Sequence, residues 1–173
     1  MIQAVIKVFD DFPRRVLAAL GLVCFGMLGF GLYLQHAIGL EPCPMCIVQR
    51  YADVLVAVTA LLGASGAKRG PRQFFTALLF LVACGGAFVA ARQSWLQWYP
   101  PEVVSCGRDL YGMIETFPLK RVLPMIFKGS GDCSKVDWTF LGGSIANWSF
   151  LWFCGAALVS AVLFWRHLGR RVH

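Results

Sequence analysis

Charge is what this sequence has least of. Only 14% of its 173 residues are Asp, Glu, Lys or Arg, where a soluble domain carries about 25%. Hydrophobic residues make up 58% of the chain. One domain of this length cannot hide so many from water, and the surplus belongs in a bilayer. Acids are scarcer than bases, nine against sixteen, for a net charge of +7. The bases form no aromatic-interleaved stripe and sit beside apolar segments, which argues against nucleic acid as a partner. The first apolar run is followed by no small-x-small cleavage site. It is also longer than the roughly 7–15 residues of a signal-peptide core, so it is expected to be a retained span.

Long uncharged runs are what the chain does have. Val16 to Leu34 holds no charged residue in 19 positions, enough to cross a hydrocarbon layer of about 30 Å. Three more runs follow. The expected spans are about 16–35, 47–67, 74–91 and 147–165. They make a single integral membrane domain over residues 1–173, with one long polar loop at about 92–146. The fold class is all-α, a four-transmembrane-helix bundle.

Four spans put both termini on one side. The lead, the 68–72 turn and the tail hold nine Lys or Arg and two acids (Lys7, Arg14, Arg15, Lys68, Arg69, Arg72, Arg166, Arg170 and Arg171 against Asp10 and Asp11). On the other face six bases balance six acids. The excess of positive charge predicts that the termini are cytoplasmic. Trp95, Trp98, Tyr99, Trp138, Trp148 and Trp152 mark the opposite interface as an aromatic belt would. Within the loop, residues 116–127 suit either a short helix on the membrane surface or a loop with its own small core.

There are seven cysteines. Cys24, Cys84 and Cys154 fall inside apolar runs and read as small buried hydrophobes. Cys43 and Cys46 form a Cys-Pro-Met-Cys sequence where the second span begins, and Cys106 and Cys133 lie in the polar loop beside glycines. Thiol–disulfide exchange requires a thiolate. Pro44 suits a first helical turn, and the helix dipole there favours an anion near Cys46. Arg50, four residues on, lies on the same helical face and would stabilise a Cys46 thiolate or a reduced acceptor beside it. An arginine at this depth is costly unless paired or functional. Asp53, three residues further, offers the alternative of a structural ion pair. Cys-x-x-Cys alone is also compatible with half a zinc site or with static disulfides. Against zinc, 26 residues separate Cys106 from Cys133, so they form no second Cys-x-x-Cys knuckle, and thiolates on an oxidising face would be drawn into disulfides.

The combined pattern resembles the disulfide bond formation protein B (DsbB) family of bacterial inner membranes. The resemblance rests on four spans, Pro-Cys-x-x-Cys-x-x-x-Arg at residues 42–50, the Leu96–Pro100 run before a loop cysteine, and Gly-Ser-Gly-Asp-Cys133. It implies a thiol oxidase whose active cysteines lie on the periplasmic face, with the long loop between helices 3 and 4 also periplasmic. A DsbA-like thioredoxin-fold partner would be reoxidised by a Cys106–Cys133 disulfide, with Cys106 forming the mixed disulfide. Electrons would pass to Cys43–Cys46 and then to a membrane quinone, ubiquinone or menaquinone, beside Arg50. Such a partner has a potential near −120 mV, so few disulfides can reoxidise it and a quinone sink is needed to draw the reaction through. Gln49 and Gln93 stand where better-known members carry a glutamate and a histidine. Gln93 is accordingly a candidate quinone contact, and no metal is expected. Two other readings remain open: a structural membrane protein stapled by disulfides, and a quinone-linked reductase similar to the vitamin K epoxide reductase family. In that family the Cys-x-x-Cys comes late in the chain rather than opening the second span.

Overall fold

A computed structural model describes residues 9, 11–66, 68–100 and 131–169; Cys106 and the 116–127 stretch lie outside them. Helix α1 runs Pro13–Ala37, α2 Pro44–Ser65 and α3 Arg69–Trp98. A single turn, α4 (Gly131–Ser134), precedes a two-stranded ribbon of β1 (Thr139–Phe140) and β2 (Gly143–Ser144), which leads into α5 (Ile145–Gly169). Helices α1, α2, α3 and α5 are long and apolar enough to cross a membrane. The protein is a four-helix membrane bundle.

Local sequence explains the helix ends. Pro13 and Pro44 occupy first-turn positions, where a missing N–H costs nothing and the fixed φ suits a helix. The α1–α2 connection reverses through Gly39 at φ +77°, a conformation glycine adopts without strain. The expected loop from Arg92 starts later than its polarity suggests. Residues 92–98 continue α3, because neither Pro nor Gly interrupts the chain until Pro100. Polar side chains there only mark where the helix leaves the hydrocarbon. This extension places Gln93 on a rigid helix.

The helices pack mainly as α3 with α5, α2 with α3, and α1 with α2. Small residues from three helices, Ala57, Ala60, Ala83, Ala90 and Ala156, are fully buried at these seams. In lipid they permit the close backbone approach that dispersion needs. Gly86 is the tightest case: a Cβ there would lie 2.6 Å from the Phe153 ring of α5. Large apolar side chains point outward instead. Leu81 and Phe88 are each 65% exposed, as residues facing lipid rather than a protein core. The same outward geometry corrects the reading of the three span cysteines. Cys24 is buried, Cys154 is half-buried and Cys84 is exposed on the outer surface, where lipid supplies the apolar surroundings.

A polar cluster lies inside the bundle. The Trp152 indole N–H donates to Asp53 Oδ1 at 3.0 Å, linking α5 to α2, and Cys24 of α1 lies beside the same carboxyl. Trp152 therefore turns inward and leaves the aromatic belt, while Trp95, Trp98 and Tyr99 are exposed. Asp53 does not pair with Arg50.

Gly86→Ala should cost about 1–3 kcal/mol by overpacking, read as earlier denaturant unfolding of detergent-solubilised protein. Adding Phe153→Leu should recover part of the loss. Asp53→Leu should cost about 1–3 kcal/mol by stranding the Trp152 N–H, and Asp53→Asn, which keeps an acceptor, should cost less in the same assay.

Candidate functional site

The site is built on the first turn of α2. Cys43 is the N-cap, in extended backbone at φ −66° and ψ 161°, and its sulfur accepts from the Cys46 N–H at 3.3 Å. The capping interaction that starts the helix also aims both sulfurs the same way. Their separation is 2.8 Å, within easy reach of a disulfide bond of about 2.05 Å. The unsatisfied amides and dipole of the helix N-terminus favour negative charge at this end.

Three other elements close on the pair. From α3, the Gln93 side-chain amide donates to Cys46 Sγ at 3.1 Å and to Cys43 Sγ at 3.3 Å. Its carbonyl accepts from Gln49 Nε2 at 2.6 Å. From α4, fully buried Cys133 joins Cys43, Met45, Val89 and Leu96 in one packed cluster and hydrogen-bonds Cys43. That bond to Cys133, followed by the bond to Cys46 and by burial, pushes the Cys43 thiol well above its ordinary pKa. Cys43 therefore keeps its proton, which it can share with a neighbouring sulfur. From α1, the Gln35 side-chain oxygen and the Gly31 carbonyl accept from the Arg50 guanidinium, the latter at 3.1 Å. Arg50 is thus fixed by α1, and its charge is not cancelled by Asp53.

The sulfurs open onto a cavity of about 610 Å³ lined from α1, α2, α3 and α5. Its walls are mostly apolar, among them Met27, Leu34 and Phe153, and Cys43, Cys46, Gln49, Arg50 and Gln93 gather along its α2–α3 side. Ligand sites commonly have this form, an apolar enclosure with a few convergent polar groups. The β1–β2 ribbon contributes part of the wall. Leu141 and Gly142 at φ 50° and 80° join its strands, two left-handed residues that match the twist of a tight hairpin. The ribbon carries Trp138 and Phe140 to the cavity. Trp138 meets Phe30 of α1 edge-on at 5.9 Å, and Ser144 bonds Gln97 of α3 at 2.6 Å.

Of the residues singled out in the sequence, Cys43, Cys46, Cys133, Arg50 and Gln93 come together here. Cys106 lies outside the described residues. Gln49 stood out in the sequence only as a departure from the family pattern, although its spacing of three from Cys46 puts both on one helical face. One participant, the β1–β2 ribbon, went unnoticed. The ribbon has strands of two residues, too short to show alternation.

Known proteins resemble this chain over most of its length. The model of the family described as disulfide bond formation protein DsbB matches residues 13–163. The chain is similar to the disulfide bond formation protein B of Albidiferax ferrireducens, with 66% identity over 98% of each chain. It is also similar to that of a Polaromonas species, with 69% identity over 91% of this chain and 94% of the relative. The protein of that name from an Azoarcus species is 53% identical over 92% of this chain and 95% of its own length. Because the match runs through all four spans and through every cysteine named above, the chain belongs to the DsbB family of disulfide bond formation proteins.

Proposed function

We propose that this chain is a thiol oxidase that carries electrons from a reduced dithiol partner, a DsbA-like thioredoxin-fold protein, to a quinone in the membrane. The observation that carries the reading is the dithiol of Cys43 and Cys46 opening onto a cavity between membrane helices, with a third sulfur, Cys133, packed against Cys43.

The residues divide the work by position. Cys106–Cys133 opens as the partner's dithiol closes to a disulfide, with Cys106 taking the mixed disulfide. Cys133 then exchanges with Cys43, its neighbour, so that the loop disulfide re-forms as Cys43–Cys46 opens. Two electrons and two protons move at each exchange. Cys46, hydrogen-bonded by Gln93 and exposed to the cavity, is the sulfur that passes the electrons on. A bound quinone would supply the sink, accepting two electrons and two protons to become a quinol. The cavity suits such a molecule: apolar walls for the ring and tail, and a fixed arginine for a carbonyl oxygen that gains negative charge on reduction. Gln93 lies at the same end, within reach of both sulfurs.

The charge asymmetry supports a periplasmic position for the dithiol and cytoplasmic termini. Lys68, Arg69 and Arg72 sit at the far end of α2 and the start of α3, opposite Cys43. On that face disulfides form and persist.

Two outcomes test the relay. Arg50→Leu should slow quinone reduction about a hundredfold or more while binding of the reduced partner is unchanged. The assay follows the absorbance of a soluble ubiquinone analogue with purified protein in detergent. Turnover that falls only through weaker partner binding would contradict the assignment. In Cys133→Ala the free Cys106 thiol should open the disulfide of the oxidised partner, releasing one partner thiol and leaving a Cys106–partner mixed disulfide visible on a non-reducing gel. Absence of that adduct would remove Cys106 from its role.

A further inference from the structure

We propose that Gln49 is a positioning residue for the Cys43–Cys46 pair, acting through Gln93; the inference rests on the redox role argued above and deepens it. The two glutamines are 5% and 3% exposed and form one directed chain. A side-chain amide has donors on one side and an acceptor on the other. Gln93 directs its NH₂ at both sulfurs and its carbonyl at Gln49, whose own NH₂ donates at 2.6 Å. Take Gln49 away and nothing fixes which side of the Gln93 amide faces the sulfurs. With its carbonyl turned toward them, an acceptor would confront an electron-rich thiolate.

The backbone makes the chain possible. Gln49 lies one turn beyond Cys46 on the same face of α2, and Gln93 reaches across from the polar end of α3. Both elements are helical, so the orientation is set by rigid parts. The pair carries no charge, and neither amide gains or loses a proton. Gln93 therefore offers its donors whether the sulfurs are a dithiol, a thiol with a thiolate, or a disulfide. Hydrogen bonds to a charged partner are worth more than those to a neutral one, so this fixed donor favours the thiolate state that transfers electrons.

A purely structural role, a bond between α2 and α3, predicts something different. Gln49→Glu separates the two. Its carboxylate can still bond Gln93, so the helices stay joined, but it accepts rather than donates and draws the Gln93 N–H away from sulfur. The measurement is the rate of iodoacetamide modification of Cys46 at neutral pH in the reduced full-length protein, resolved by peptide fragmentation. Denaturant unfolding is recorded alongside, and the Cys43–Cys46 reduction potential is read against a glutathione buffer.

Gln49→Glu and Gln93→Glu should slow modification of Cys46 about tenfold, and Gln49→Met about threefold. Gln49→Glu should unfold near the parental midpoint. Its dithiol–disulfide equilibrium should shift about tenfold toward the disulfide, a potential lower by about 30 mV. Parental rates in both Glu variants would overturn the proposal. So would slowing in Gln93→Glu with neither Gln49 variant affected, since Gln93 would then act unaided. If either Glu variant fails to fold, Gln49→Met decides by the same rate. The assay needs neither partner nor quinone. A failed relay would leave the order of rates intact, and a failed order of rates would leave the relay standing.

Discussion

Two sulfurs 2.8 Å apart at the N-terminus of α2 need hydrogen-bond donors around them and little water, and this requirement shapes their surroundings. The helix start supplies the first donor, the Cys46 N–H to Cys43. The extension of α3 beyond its apolar run supplies the second, Gln93. The one-turn α4 brings the third sulfur against Cys43. The ribbon before α5 covers the approach with aromatic rings. Each element contributes a short contact to the pair and otherwise apolar surface.

Charge inside the bundle is arranged by the same logic. Arg50 and Asp53 stand one turn apart, close enough to pair on the helix surface. They do not pair. Arg50 is held by neutral oxygens of α1, and Asp53 by the N–H of Trp152 on α5, with Cys24 beside it. Had the two joined, the Arg50 charge would have been neutralised by its own helix. Neutral acceptors fix the guanidinium and leave its charge available to a ligand or thiolate in the cavity. Two polar residues at similar depth thus make different contacts, Arg50 bonding α1 beside the cavity and Asp53 joining α2 to α5.

The bundle and the heart of the site were legible in the sequence because both are written in local terms. Long uncharged runs read as spans, and Cys-x-x-Cys four residues before an arginine puts three groups on one helix face. What the sequence withheld depends on contacts between distant segments. Trp152 has the composition of a belt residue, but an acid 99 positions away turns it inward. Cys133 reads as a loop cysteine, yet it is buried against a helix start 90 residues earlier. Residues 92–98 have loop-like polarity, and only the lack of a helix breaker keeps them helical. Gln49 and Gln93, the two positions departing from the pattern the chain otherwise resembles, were legible separately. That they bond each other is a fact of packing.

The placement of net charge sharpens the importance of these local contacts. The whole excess of +7 belongs to the lead, the α2–α3 turn and the tail. The dithiol is at the other end of α2, 22 residues long and hence about 33 Å. Screening in physiological salt extends only about 8 Å through water, so exposed bases at that distance contribute little to a thiolate at Cys46. The face that carries the dithiol has no net charge of its own. Among the described residues, the close groups that favour negative charge at Cys46 are the helix N-terminus and the Gln93 amide at 3.1 Å. On the proposed reading, the charge that would orient the chain in its membrane and the dipoles around its sulfurs are separate systems. Substitutions in the basic turn should bear on topology and leave the chemistry of the pair alone, whereas a single amide turned the wrong way bears on the chemistry alone.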